Sequence, residues 1–350
     1  MPETEAVPWW RPDRVAARHG NLATRSRIRA AVRRFFDAAG YMEVETPALQ
    51  VSPGLEPHLQ AFAAALHDPR DGVARRRYLH TSPEFTMKKL LAGGLPRIWQ
   101  LSHVFRNGER GATHHPEFSM LEWYRAGASY RDLMDEAEAL LREAQIAAGV
   151  ETLRRDGKIA DARRPFERIT VAQAFATYAG IDLLATAPDP ASPDAALLAA
   201  EAARAGLQLH ADDDWETLFF RIFLERIEPY LGVGAPTIVY DYPITMAALS
   251  RRKLDDPRLA ERFELYVCGL ELANAFGELT DPAEQRHRFL ADQARKQALY
   301  GETYPIDEDL LAALTWGLPA CAGIALGFDR LVMLATGAAR IEDVLWAPVV

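Results

Sequence analysis

A chain of 350 residues, 49% hydrophobic and 25% charged, can bury a substantial core as one large domain or two ordinary ones. Its seven Trp, eleven Tyr and fifteen Phe are spread along the length with no run near the roughly 20 apolar residues of a membrane helix, and two cysteines, Cys268 and Cys321, can build neither a disulfide framework nor a thiolate metal site. A formal net charge of -9 argues against a protein whose main work is a long-range grip on a polyanion such as tRNA.

The first residues, MPETEAVPWWRPDR, carry acids and prolines where an export signal has a basic start and an apolar stretch, so a cytoplasmic protein is expected. Arg11, Arg14, Arg18, Arg25, Arg27, Arg29, Arg33 and Arg34 crowd this region, with Arg75, Arg76, Arg77, Lys88 and Lys89 further on. They read as a solvated helix face plus a charged loop, the alternative being a docking surface for an acidic partner. From Ala23 to Ala38, Ile28, Val32, Phe35 and Phe36 recur at helical spacing, and Gly40 ends the helix. Tyr41 to Glu45 alternates like a strand and stops before Pro47.

Arg97–Phe105 and Phe118–Tyr124 are aromatic or aliphatic strands separated by the polar, glycine-containing stretch from Arg106 to Pro116, as in a long hairpin. From about Tyr130 to Gly232 the pattern is mostly helical, broken at 187–193, and reads as an insertion. Phe263–Val267 and Leu270–Ala273 flank Cys268-Gly269 as a tight hairpin. Between Leu310 and Leu334 a strand feeds a helix across a junction permitted by Gly323 and Gly327.

Three clusters carry candidate chemistry. Arg106 to Gly111 and His114 to Phe118 place arginines, acids and an aromatic on two arms of one hairpin, where an Arg fork can hold a phosphate and an aromatic face can stack on a base. An ordinary charged hairpin is the bland alternative. Glu264 and Glu271 flank the second turn as a pair of acids suited to magnesium with phosphate oxygens, or simply as solvated acids. Gly327 and Arg330 sit where that last strand becomes a helix, with the glycine either approached by a ligand or merely tightly packed.

The three clusters occur in the order of the signature motifs of class II aminoacyl-tRNA synthetases. Motif 1 resembles Gly40-Tyr-Met-Glu-Val-Glu-Thr-Pro47, motif 2 resembles Phe105-Arg106 through Glu122-Trp-Tyr124, and motif 3 resembles Gly327-Phe-Asp-Arg330. Thr81-Ser82-Pro83-Glu84, His114 to Phe118, Arg262-Phe-Glu-Leu-Tyr266 and Glu271-Leu-Ala-Asn274 are similar to the lysyl enzymes in wording, over nearly the whole chain. A start of motif 1 near Gly40, with Glu122-Trp-Tyr124 and Glu278-Leu-Thr-Asp281, resembles the elongation factor P lysyltransferase family.

That resemblance implies an α/β (α+β) synthetase core spanning 1–350, a mainly antiparallel sheet flanked by helices, with a helical insertion at about 130–232 and no anticodon-binding OB domain. It implies an ATP-dependent ligase that activates lysine or (R)-β-lysine and passes it to a lysine of elongation factor P, as a cytoplasmic homodimer with Mg2+ and without tRNA. A minimal lysyl-tRNA synthetase acting on another acceptor and a non-catalytic regulatory paralogue are the alternatives.

By the same similarity, Arg106 and Arg330 are the catalytic residues. Arg106 holds the α-phosphate and substrate carboxylate, while Phe118 and Arg330 sandwich adenine. Asn107, Gly108, His115, Glu271, Leu272 and Gly327 complete the ATP site. Glu264 and Glu271 hold the metal. Ser82, Glu84 and Asn274 meet the amino acid, Glu84 at its near amino group, and Glu122, Tyr124 and Glu278 take the distal ammonium. The sequence departs from the lysyl pattern at Gly108-Glu109, His115 and Ala275-Phe276-Gly277, and Ala325 stands where glycine is usual.

Overall fold

Strand pairing in the central sheet, with shifts of register at Leu265/Tyr266 and Tyr240/Tyr242, decides which face the strand-borne candidate residues occupy. The computed structural model describes residues 8–349 except 191, 211 and 212, so residues 1–7 of the start read above for an export signal, and residue 191 of the breaker cluster, lie outside the described residues.

Helix α1 (Pro12–Ala38) leads into β1 (Met42–Glu43), and β2 (Leu49–Gln50), β3 (Ala63–His67) and β4 (Ala74–Leu79) form a small separate sheet. Helix α2 (Glu84–Ala92) precedes the long hairpin of β5 (Arg97–Phe105) and β6 (Glu117–Ala126). Next come α3 (Tyr130–Ala148), the pair β7 (Leu153–Arg155) and β8 (Lys158–Ala160), and β9 (Glu167–Thr170). A helical stretch with α4 (Val171–Ala174), α5 (Ala195–Arg204) and α6 (Trp215–Ile222) leads to β10 (Thr237–Pro243). The chain ends with the hairpin of β11 (Leu259–Val267) and β12 (Leu270–Gly277), helices α7 (Pro282–Tyr300) and α8 (Glu308–Gly317), β13 (Cys321–Gly327) and α9 (Phe328–Thr336).

The main sheet has the order β1-β5-β6-β13-β12-β11-β10-β9, parallel only at its two ends. Side chains alternate faces with a period of two. On one face Trp99, Leu121, Trp123, Ile324, Phe263 and Leu265 join Ile28, Val32 and Phe36 of α1, Leu133 and Leu140 of α3, and Leu331 of α9 in one buried cluster. The opposite face is left for Gln100, Glu122, Ala325, Asn274 and Glu264, which pair side by side across five strands. Tyr124, Gly323, Phe276 and Arg262 form the next row.

The mainly antiparallel sheet and both hairpins agree with the sequence reading, and Cys268 (φ 55) and Gly269 (φ 68) form the two-residue turn that hairpin requires. Helix α1 starts well before Ala23, because Pro12 at its first turn presets the backbone and Arg18 ties it to the carbonyls of Glu342 and Leu345. Arg18 and Arg25 are therefore not solvated. Arg25 pairs with buried Asp329 and donates to Ser119 Oγ, locking α1 to motif 3.

The stretch 130–232 divides. Helix α3 packs in the main core behind a Ser129/Asp132 capping box, and β9 joins the sheet beside β10. The helices from Val171 onward bury their own aromatic cluster, Phe175, Trp215, Phe219 and Phe223, against Tyr242 and Tyr266. Among the described residues no helix is long and apolar enough to cross a membrane.

Candidate active site

A cleft of about 360 Å³ lies on the polar face of the sheet, with Arg106, Phe118 and Arg330 at one end and Ser82 and Glu84 toward the other. Strand β6 supplies both ends, because its even positions, Phe118, Met120, Glu122 and Tyr124, all point to this face.

At the first end the Arg106 guanidinium lies 5.2 Å from the centre of the Phe118 ring. Among the described residues its Nε is buried without a hydrogen-bond partner, and its nearest paired acid, Glu109 Oε1, is 3.9 Å away. A guanidinium so placed keeps its donors for an incoming anion. Arg330, in the first turn of α9, donates to the Glu271 carbonyl (2.8 Å) and contacts His114 Nε2 (2.9 Å). Burial and the cations Arg330 and Arg106 pull the His114 imidazole below its usual value, so it stays neutral beside the arginine.

The structure brings Phe118, Glu271, Leu272, Gly327 and Arg330 to this cleft beside Arg106. Asn107 and Gly108 are elsewhere. Asn107 donates its backbone N–H to the Gln60 carbonyl, and Gly108, at φ +80, turns the hairpin loop outside the residues that line the cleft. His115 touches the cleft wall, but its ring is already engaged, Nδ1 with the Glu117 carbonyl and Nε2 with the backbone N–H of Val349. The imidazole that faces Arg330 is the neighbouring His114.

The other end is an acid pocket. Glu122 is fully buried, and its two oxygens accept from Ser82 Oγ (2.6 Å) and Tyr124 OH (2.8 Å). Burial pushes its carboxyl up to about 8, because neither hydroxyl brings the positive charge an ionised acid needs there. Glu278 and Glu84 instead share the Lys88 ammonium, each at 2.6 Å. Burial alone would lower the Lys88 ammonium, but the two carboxylates outweigh it and raise it above its usual value.

Above these acids Asn274 Oδ1 is buried without a partner, next to the Ala325 methyl. Gly323 completes the pocket. A Cβ there would overlap the Tyr124 ring and the Glu278 carboxylate, so the lack of a side chain is a packing requirement rather than a conformational one. Gly323→Ala is expected to reduce amino-acid activation by about 10²-fold or more through displacement of Tyr124 and Glu278, with ATP affinity retained. Separate KM determinations for the amino acid and ATP check it. Gly277 is likewise explained by space, because a Cβ there would meet the Glu261 side chain, which pairs with Arg251.

The two acids read as metal ligands differ in availability. Glu271 has 42% of its side chain exposed, with its nearest basic group, Arg330, at 4.0 Å, and suits a hard cation that fills its other positions with phosphate oxygens and water. Glu264 is already held by Arg262 (2.6 Å) and by the Tyr242 (2.6 Å) and Tyr266 hydroxyls. Its remaining capacity is small, and it serves chiefly to fix Arg262 and to add negative charge beside Glu271. Among the described residues no group of three or more His, Cys, Asp or Glu side chains is placed to enclose a metal by itself.

Sequence reasoning missed His114 and Lys88 as site residues. Lys88 was grouped with solvated charges, although its spacing of four residues from Glu84 on one helix was the available signal.

Comparison with known proteins gives a consistent picture. Residues 11–350 match the class II tRNA synthetases of the D, K and N group. The elongation factor P–(R)-β-lysine ligase of Pasteurella multocida is 41% identical over 336 residues, 96% of each chain, and that of Proteus mirabilis is 40% identical over 342 residues, 97% of each. The lysine–tRNA ligase of Pelotomaculum thermopropionicum is 39% identical over 326 residues, which are 93% of the present chain and 62% of that protein.

Proposed function

The chain belongs to the class II tRNA synthetases of the D, K and N group, and from that membership we propose that it is an ATP-dependent ligase that activates lysine or (R)-β-lysine and transfers it to a lysine side chain of elongation factor P. The observation that carries the substrate class is the buried acid pocket of Glu84, Glu122 and Glu278 beside a free arginine fork. Such a pocket rejects an uncharged analogue because its acids would remain unpaired.

In this reading Arg106 aligns the substrate carboxylate with the α-phosphate. The carboxylate oxygen attacks the α-phosphorus in line and pyrophosphate leaves, giving a mixed anhydride. The acceptor amine then attacks the acyl carbon, loses a proton, and AMP departs. Both steps need positioning and charge neutralisation rather than a side-chain nucleophile. Phe118 and Arg330 hold the adenine, with His114 fixing the Arg330 fork. Glu271, with Glu264 behind it, would hold a magnesium ion, which would supply charge neutralisation of the triphosphate.

Support for the acceptor comes from the relatives at 40–41% identity, which are elongation factor P–(R)-β-lysine ligases, while a lysine–tRNA ligase is 39% identical. A minimal tRNA ligase is the second reading, favoured by that 39% relative. The Ala325 methyl, between Glu122 and Asn274, favours a displaced amino group such as that of β-lysine, worth about 1–3 kcal/mol at most. A cytoplasmic homodimer joined through the motif 1 region completes the proposal.

Exchange of labelled pyrophosphate into ATP tests the first half. Exchange with (R)-β-lysine and lysine, and none with the isosteric neutral norleucine, is the expected result. Exchange with norleucine at a comparable rate would refute the acid-pocket assignment.

A further inference from the structure

Lys88 lies one helical turn after Glu84 on α2, is 2% exposed, and has no part in the chemistry above. Its Nζ is bound at 2.6 Å by each of two carboxylates already assigned to the substrate. Such a group is costly to bury and is kept only where its pairing is complete.

Glu84 and Glu278 face a single ammonium, burial still holds the Glu278 carboxyl up at about 7 with Lys88 in place, and Glu56 adds a further acid beside Glu84, so the pocket is short of positive charge. Glu122 has no ion pair among the described residues. A diamine whose carboxylate is taken by Arg106 brings two ammonium groups. We propose that Lys88 is a built-in counter-ion that holds the Glu84 and Glu278 carboxylates together and aims them at the ammonium groups of the substrate. It is a positioning and specificity residue, and the proposal rests on the functional reading given above.

Without Lys88, two facing carboxylates are buried with no cation between them. They share a proton near neutral pH, and the protonated pair no longer presents two fixed acceptors to the substrate ammonium. The groups facing this pair are Glu122 and Tyr124 on β6, Cys321 at the start of β13, Glu56, Arg106, and Arg251, which is itself paired with Glu261. Of these, Arg251 is engaged with Glu261 and Arg106 lies over the Phe118 ring, so neither replaces the Lys88 ammonium between the two carboxylates.

The test is Lys88→Met, which keeps the chain length and removes the charge. At pH 7 the KM for lysine and (R)-β-lysine is expected to rise about 50-fold or more while the KM for ATP stays within about 2-fold. Between pH 7 and pH 9 the loss should shrink as the acid pair ionises, whereas a purely structural defect would be insensitive to pH. If Lys88→Met does not fold, Lys88→Ala in the presence of ethylammonium to butylammonium replaces it, with recovery of both melting temperature and exchange expected.

An unchanged diamine KM in Lys88→Met overturns the proposal. So does an equal, pH-independent loss for ATP and diamine, or a Lys88→Ala protein that no amine restores. The unmodified protein serves as the reference. Its failure to activate any diamine would sink the functional reading together with this proposal, whereas diamine activation unaltered by loss of Lys88 would sink this proposal alone.

Discussion

Arg106→Ala should lower the rate of adenylate formation by about 10²–10³-fold, the usual cost of removing a preorganised donor from a developing charge. The physical reason is visible in the site. The guanidinium is propped on the Phe118 ring, its Nε is buried and unpartnered, and the nearest acid is too far to satisfy it. A side chain held this way has its orientation settled before substrate arrives, so the loss falls on kcat as much as on KM. Arg106→Lys should recover little, because a single ammonium cannot span a phosphate oxygen and a carboxylate oxygen together. Single-turnover adenylate formation under saturating ATP and lysine measures this directly, and a near-normal rate in Arg106→Ala would remove Arg106 from the chemical step.

Glu122→Gln should weaken diamine use by a comparable factor, about 10²–10³-fold in kcat/KM, by leaving a buried ammonium opposite a neutral amide. A second signature separates charge from shape. The Glu122 carboxyl sits at about 8, so at pH 7 it is mostly protonated in the free protein. Binding of an ammonium favours the ionised form and expels that proton. The sign follows from the raised value: affinity for the diamine climbs as pH rises toward 8, then levels off until the substrate amines themselves lose their protons. Calorimetry at pH 7 in buffers of different ionisation enthalpy should therefore show net proton release on lysine binding, and Glu122→Gln should reduce it, the remainder coming from Glu278, whose carboxyl burial holds up at about 7. Absence of proton release in the unmodified protein would show that another acid receives the distal ammonium.

Much of this site was legible because strand periodicity is simple. The alternation in Phe118 to Tyr124 already puts Phe118, Glu122 and Tyr124 on one face, and the hairpin turn at Cys268-Gly269 pairs β11 with β12, although a register shift beyond Tyr266, invisible in the sequence, sets Glu264 opposite Asn274 rather than Ala273. The order of the three motifs then joined those strands to Arg330. What stayed hidden depended on packing. Nothing in the charge run containing Lys88 distinguishes a solvated lysine from one enclosed by Glu84 and Glu278, since Glu278 lies far away in sequence. Gly323 and Gly277 look like flexible residues and are in fact required by neighbours that only the fold supplies. His114 and His115 are adjacent and alike, and the C-terminal segment reaching His115 decides which of them faces the nucleotide end. The first part of α1 lacked a repeating apolar stripe, because its interactions are made by Arg18 and Arg25 rather than by aliphatic side chains.

The most direct test of the central claim is the intact mass of unmodified elongation factor P after incubation with this protein, ATP, magnesium and (R)-β-lysine, with lysine and with tRNA run in parallel. The account predicts a gain of one lysyl unit on the factor, greatest with (R)-β-lysine and lost when the acceptor lysine of the factor is replaced. An unmodified factor together with charged tRNA would contradict it and leave a minimal lysyl-tRNA synthetase.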